Sequence, residues 1–333
     1  MKIAFFEIEE WEKKYLSSKL VGHQLSFFEE PLSQENAAKA ADAEVLSIFI
    51  YSKIDNETLA LLPKAKFITT RSMGYDHIDI PACKERGVAV SRVPNYGDRT
   101  VAEHTFGLLL GLSRKIFLAH ERTEKDDFDY HGLQGFDLYE KTIGIVGGGK
   151  IGLNVAHIAH SGFQMRVLVS DPFPKPELAK EIGFEYAPLS KLLTESDVLT
   201  LHCPYTPDTH HLLNEEAFTK VKHGAILVNT ARGALIDTKA LLQALDNGTI
   251  SGAGLDVLEE ECFIKEEREL MSKDFPKQCD LGTIVRNHML VRHDNVIITP
   301  HIAFNSREAL ERILSTTLEN INAFVRGKPV NLV

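Results

Sequence analysis

The chain has 333 residues, 44% hydrophobic and 25% charged. At roughly 150 residues per domain, that length predicts about two domains with ample apolar material for their cores, and it excludes a disordered or collagen-like chain. A formal charge of −10 offers no global field to attract nucleic acid or an anionic membrane, although a pocket in an acidic protein can still be locally positive.

The chain starts with a short apolar run that Glu7, Glu9 and Glu10 interrupt before a signal-peptide core can form. In the first hundred residues, strands are expected at 3–6, 45–50, 67–70 and 88–90. Helical patterns lie at 11–20, 58–62 and 76–85. Strands alternating with helices imply parallel βαβ units, hence a small α/β domain. Residues 100–118 read as one long helix, with Thr100 as N-cap and Glu103 closing a capping box. Residues 121–140 are polar and aromatic without a strong period, as in a loop or a partner-contacting arm.

The alternation then resumes. Strands are expected at 142–146, 165–169, 198–202, 225–229, 251–257 and 296–299. The helix after the first of these keeps Ile151, Val155, Ile158 and Ala159 on one face. A further helix starts at the N-cap Asp237 and ends before Gly248. Residues 259–295 form a long polar stretch with no clear period, the kind of excursion that is functional or flexible. A last helix, 306–326, carries Leu310, Ile313, Leu314, Leu318 and Ile321 at helical spacing and stops at Gly327 and Pro329. The fold expected is α/β, built on a doubly wound parallel sheet. No stretch approaches the ~18 apolar residues of a membrane span. Cys83, Cys203, Cys262 and Cys279 form no C-x-x-C pair, which points away from a disulfide framework or zinc knuckle and toward a reducing cytoplasm.

The strongest local signal is Gly147-Gly148-Gly149-Lys150-Ile151-Gly152, which follows a strand and opens an amphipathic helix. Read as G-x-G-x-x-G, Gly147 makes the tight turn, and Gly149 lets a pyrophosphate approach the backbone. Gly152 lets helix and strand pack closely, and the helix N-terminus presents oriented N–H groups. The next strand runs into Asp171, at the spacing of the carboxylate that hydrogen-bonds an adenosine ribose. An acid there repels a 2′-phosphate, so NAD is expected rather than NADP.

Three residues lie just past successive strands: Arg232, Glu261 and His301. In an open parallel sheet such positions face one crevice. Hydride transfer to a ketone creates an alkoxide that must be protonated, and a histidine suits that task near neutral pH. A carboxylate would orient the imidazole, and a guanidinium would hold a 2-oxo acid's carboxylate on two points. Read singly, each has a plainer alternative: a surface ion pair, part of a solvated acidic run, a core histidine. His157 and His160 have a spacing that can bind metal, but no further ligand joins them, so no metal is expected. His210-His211 and Cys203 form no nucleophilic site with an identifiable base, and no G-x-S-x-G elbow occurs. The run from Glu259 with Glu266, Glu267 and Glu269 reads mostly as a solvated face.

The segments VGGGKIG, LHCPYT, NTARGALID, GAGLDVLEEE and TPHIAF, in this order, resemble the D-isomer-specific 2-hydroxyacid dehydrogenase family over nearly the whole chain. The resemblance implies a Rossmann domain plus a smaller flavodoxin-like α/β substrate domain. The expected division is residues 1–99 with 300–333 for the substrate domain and 100–299 for the NAD-binding domain, with a cleft that closes over substrate. It implies that Arg232, Glu261 and His301 are catalytic. Asp256 is matched to a carboxylate on the nicotinamide side that tunes pH behaviour. Lys150, Ile151, Cys203, Pro204, Thr209, Thr230, Ala231 and Arg232 would line the cofactor together with Gly147, Gly149, Gly152 and Asp171. Backbone N–H groups at Met73 and Gly74 would hold the substrate carboxylate, with Tyr96 and Phe304 walling the pocket.

Within the family the lactate-type subgroup is the nearest match, from Val93-Pro94-Asn95-Tyr96 and from the long tract after Glu261. Cys262 stands where most relatives carry proline. The span of the chain leads us to expect no appended regulatory domain. The implied reaction is reversible hydride transfer between NADH and pyruvate giving D-lactate, by a homodimer formed through the nucleotide domain and the helix at 100–118. Alternatives are the same chemistry on a larger 2-oxo acid or glyoxylate, and an NAD-sensing dimeric interaction protein of this fold.

Overall fold

The computed structural model describes residues 1–259 and 281–333. They form two compact units, Met1–Tyr96 with Asn305–Val333, and Gly97–Phe304. The first is built on β1 (Lys2–Phe5), β2 (Gln24–Phe27), β3 (Val45–Ile48), β4 (Phe67–Thr70) and β5 (Ala89–Ser91), all parallel, in the order β2-β1-β3-β4-β5. This is the flavodoxin-like order. The inner strands β3 and β4 are buried along their whole length, as parallel strands covered on both faces must be. β2 was not expected from the sequence. It is an edge strand, QLSF, whose alternating exposure replaces the apolar run that marks a buried strand.

Helices cover both faces of this sheet. On one face Ile3, Phe5, Val45 and Phe67 meet Leu16 of helix Glu10–Lys19 and Leu314 and Ile321 of helix Arg307–Val325. The Phe67 and Phe324 rings stack at 4.5 Å. Ser306 caps the C-terminal helix through Ala309 N.

The second unit holds β6 (Thr142–Val146), β7 (Arg166–Ser170), β8 (Glu185–Tyr186), β9 (Val198–Leu201), β10 (Ala225–Asn229), β11 (Ile250–Leu255) and β12 (Val296–Ile298). Their order is β12-β11-β10-β9-β6-β7-β8, again parallel throughout. Counted from β6, this is the doubly wound Rossmann order extended by one strand. One apolar cluster packs helix Thr238–Asp246 on one face, and another packs helix Asp98–Ser113 and helix Lys150–His157 on the other. The two-residue edge strand β8 is too short to give a sequence signal.

Three sequence expectations need correction. The long helix at 100–118 is two helices, Asp98–Ser113 and Ile116–Glu124. Its N-cap is Gly97, and Thr100 lies inside the first turn, where Asp98 already complements the helix dipole. The break follows from a crossing segment: Phe136 N takes the Ser113 carbonyl at 2.9 Å, and Lys115 adopts φ 50°. The second helix also occupies the start of the stretch expected to be a loop. Finally, helix Leu281–Val291 lies within 259–295. Its buried face mixes Ile284 and Leu290 with Thr283 and Asn287, which dilutes the apolar period.

Candidate active site

The carboxyl edge of the seven-stranded sheet gathers most of the candidate residues. β6 runs into Gly147 at φ 104°, a conformation that glycine adopts without strain. A Cβ on Gly147 would lie 2.6 Å from the backbone of His202 and Cys203, and one on Gly152 would lie 2.0 Å from Gly147 O. Both glycines are therefore demanded by protein packing. Gly149 is different: a Cβ there would meet nothing within 4 Å among the described residues. The chain leaves that space free above the first turn of helix Lys150–His157, which starts with Lys150 and Ile151. The open cradle at a helix N-terminus fits a pyrophosphate. Asp171, one residue past β7, accepts Gly148 N at 2.6 Å and Phe173 N at 2.7 Å, which fixes its carboxylate beside the glycine turn. The residues present fit a dinucleotide.

Past β9 come Cys203, Pro204 and Thr209. Thr209 Oγ1 donates to Pro204 O at 2.8 Å and accepts Thr206 N, tightening the turn. Burial, helped by the charge of Asp171, pushes the Cys203 thiol up to about 11, so it stays protonated. The imidazole of His202 bonds Thr200 Oγ1 at 2.8 Å; among the described residues its buried Nδ1 meets no partner, and desolvation pushes its pKa down to about 3.

Past β10, Asn229 organises the next turn: its Oδ1 takes Ala231 N at 3.0 Å and its Nδ2 donates to Arg232 O at 2.9 Å. Thr230 is buried, its hydroxyl 3.1 Å from that of Thr105. Arg232 is extended, and its Nη1 donates to Ala231 O at 2.7 Å. A Cβ on the following Gly233 would lie 1.9 Å from Leu258 C, so only glycine lets this turn press against the chain leaving β11. Just past β11, Asp256 is 1% exposed. Just past β12, His301 adopts φ 53° and its N–H donates to Asp256 O at 2.9 Å. Arg232, Asp256 and His301 thus emerge from the carboxyl ends of three adjacent strands. Phe304 follows, its Cβ 3.8 Å from the Cβ position of Gly97.

Glu261 and Cys262 lie outside the described residues. Glu259 departs from the solvated role expected of its run. Its carboxylate takes Thr238 Oγ1 at 2.8 Å and pairs with His211 Nε2 at 2.6 Å, so His211 does have an acidic partner. His160 lies against Gly183. Among the described residues, no group of three or more His, Cys, Asp or Glu is arranged to hold a metal ion.

In the smaller unit, Met73 and Gly74 follow β4. Ser72 Oγ donates to Gly74 O at 2.6 Å, and Arg92 Nη1 donates to Met73 O at 3.4 Å. Tyr96 O accepts Arg312 Nε at 2.7 Å. Two groups escaped the sequence reading. Arg71 is fully buried at the root of this loop, donating to Phe6 O, Glu7 O and Ser47 Oγ. His104, on helix Asp98–Ser113, reaches Thr299 Oγ1 at 3.1 Å and Asp256 Oδ1 at 3.5 Å. Neither has a local signal, because every partner is distant in sequence.

A Rossmann sheet with a glycine cradle, an acid just past β7, and an arginine and a histidine at the ends of β10 and β12 defines a nicotinamide-dependent dehydrogenase. Residues 106–303 match the NAD-binding domain of D-isomer-specific 2-hydroxyacid dehydrogenases. The chain is 40% identical over 332 residues to the D-lactate dehydrogenase of Escherichia coli K12, covering 98% of each. It is also similar to the apo structure of the E. coli D-lactate dehydrogenase, at TM-score 0.86 and 38% identity, covering 100% of both chains. A D-lactate dehydrogenase from Aquifex aeolicus, complexed with NAD and lactic acid, superposes at TM-score 0.85 with 37% identity over 98% of this chain and 96% of that one. The chain belongs to the D-isomer-specific 2-hydroxyacid dehydrogenase family and is an NAD-dependent oxidoreductase. Among the described residues no helix is long and apolar enough to cross a membrane.

Proposed function

We propose that the protein reduces pyruvate to D-lactate with NADH, reversibly. The observation that carries this reading is the placement of Arg232 and His301 at the carboxyl ends of β10 and β12, on the sheet edge that also bears the glycine cradle. Bound NADH supplies a hydride at the nicotinamide. The guanidinium of Arg232 offers parallel N–H donors, which suit a carboxylate and polarise the adjacent carbonyl. His301 delivers the proton to the developing alkoxide, and Glu261 is its acidic companion, holding the imidazolium form. Gly147, Gly149 and Gly152 with Lys150 and Ile151 hold the pyrophosphate. Asp171 takes the ribose, and Cys203, Pro204, Thr209, Thr230 and Ala231 complete the cofactor's surroundings. In the smaller unit, the amides of Met73 and Gly74 and the side chain of Tyr96 take part in substrate recognition, as does Phe304 in the larger one.

We assign a cytoplasmic homodimer. Cys83 and Cys203 are free thiols. Ile116, Phe117, Phe128, Tyr130 and Tyr139 expose apolar rings and chains along one stretch of the larger unit, a composition that suits contact with a second copy. Sedimentation equilibrium tests the dimer. The activity is tested by NADH oxidation against a panel of 2-oxo acids. Pyruvate should give the highest kcat/KM; a preference for glyoxylate or a branched acid would reassign the substrate, and no turnover on any of them would remove the reading.

A further inference from the structure

Asp256 stands among residues expected to face the cofactor, yet both oxygens of its carboxylate are committed to the protein. Oδ1 accepts Thr299 Oγ1 at 2.5 Å and Ile302 N at 2.9 Å, and Oδ2 accepts Ala303 N at 2.8 Å. Its backbone carbonyl accepts His301 N at 2.9 Å. Four donors from five consecutive positions, 299–303, therefore converge on one residue that is 1% exposed. The group they enclose is His301, at φ 53°, in the left-handed region that a residue other than glycine adopts only at a cost. Such a conformation persists only where surrounding bonds over-determine it, and here four of them go to Asp256, while His301 N also donates to Thr299 O at 2.9 Å.

A second brace comes from His104. The single proton of Thr299 Oγ1 goes to Asp256, so the hydroxyl can only accept from His104 Nε2, 3.1 Å away. That assigns the proton of His104 to Nε2, which also lies 3.5 Å from Asp256 Oδ1. Helix Asp98–Ser113 is thereby tied to the strand end that presents His301.

We propose that Asp256 and His104 are positioning residues. The Asp256 carboxylate clamps the 299–303 turn so that His301 is held in its left-handed conformation, and His104 locks the clamp through Thr299. This deepens the proposed dehydrogenase reading and rests on it for the role of His301. The clamp itself is read without turnover, by residue-resolved amide hydrogen exchange on the full chain.

In Asp256→Asn the amide keeps one carbonyl oxygen for Thr299 and Ile302 but turns an NH2 group toward Ala303. The Ala303 amide should then exchange about tenfold faster while Ile302 stays protected. In Asp256→Ala both amides should lose protection. With it, kcat should fall about 100-fold, the cost of a misplaced catalytic group, while NADH affinity from fluorescence titration changes less than about threefold. His104→Phe should show a smaller loss of kcat, about tenfold, with NADH affinity intact. Unchanged exchange at 302 and 303 in both Asp256 variants would overturn the clamp. So would a tenfold loss of NADH affinity with kcat preserved, which would make Asp256 a cofactor contact. If the wild type turns over no 2-oxo acid, the dehydrogenase reading falls, while the exchange data still decide the clamp.

Discussion

The turn after β6 and the turn after β4, one at the carboxyl end of each sheet, are organised by different means. In the seven-stranded sheet, the turn after β6 is shaped by its own glycines: Gly147 at positive φ, Gly152 under the Gly147 carbonyl, and Gly149 facing open space. In the five-stranded sheet, the turn after β4 is anchored by the buried guanidinium of Arg71, whose acceptors lie 24, 65 and 64 positions away at Ser47, Phe6 and Glu7. Glu7 in turn gathers Phe49 N, Tyr51 N and Ser52 N at the end of β3. Backbone geometry written in adjacent residues makes the turn after β6; side-chain bonds that exist only in the folded sheet make the turn after β4.

The largest effect is expected at Arg71. Arg71→Met removes the donor to three acceptors, two of them buried, and the positive charge beside Glu12, whose carboxyl is already pushed up by burial. Breaking a buried charged network of this kind costs about 3–5 kcal/mol. Urea unfolding should show that loss, while NADH affinity, a property of the other sheet, stays near wild type in the folded protein. A loss below about 1 kcal/mol would mean the smaller sheet does not depend on its long-range anchor.

At the larger sheet, Arg232→Lys keeps a charge but loses the forked pair of donors. We expect kcat/KM for pyruvate to fall about 100-fold, or about 2.7 kcal/mol, with NADH affinity little changed. Equal kcat/KM would remove Arg232 from substrate binding.

His202 sharpens the contrast through pH. Its imidazole is half-buried with Nδ1 shielded from solvent, and desolvation pushes its pKa down to about 3, against 6.5 when exposed. The unfolded chain therefore binds the proton first. The stabilising effect of this site is complete above pH 6.5 and is lost as pH falls from 6.5 toward 3. Well below 6.5 the loss approaches about 1.4 kcal/mol per pH unit. His202→Gln, which cannot titrate, should flatten that part of the stability profile. A variant profile parallel to wild type would show that His202 is not held neutral.

The smallest effect is expected at Asp171. Asp171→Ser removes the negative charge next to Gly148 N and should relax the preference for NAD over NADP about tenfold. An unchanged ratio would remove Asp171 from ribose recognition.

This difference also explains what could be read from the sequence. The glycine turn, the acid at Asp171 and the strands β6, β7, β9, β10 and β11 are local patterns: fixed spacings, apolar runs, a cap at Asp237. They were visible because a parallel strand buried on both faces must be apolar throughout. β2 and β8 were not visible, since edge strands need no such run. The division of the 100–118 helix depends on Phe136 claiming the Ser113 carbonyl, a contact no window of that helix contains. At the site, Arg232 and His301 are legible through the strand ends that carry them. The bonds that hold His301 are not, because Asp256, His104 and Thr299 come from three separated segments.

The most direct test is the configuration of the product formed from pyruvate and NADH by the purified full chain, resolved by chiral chromatography. D-lactate alone is expected, formed with one NADH consumed per lactate. L-lactate, a racemate, or no lactate at all would contradict it.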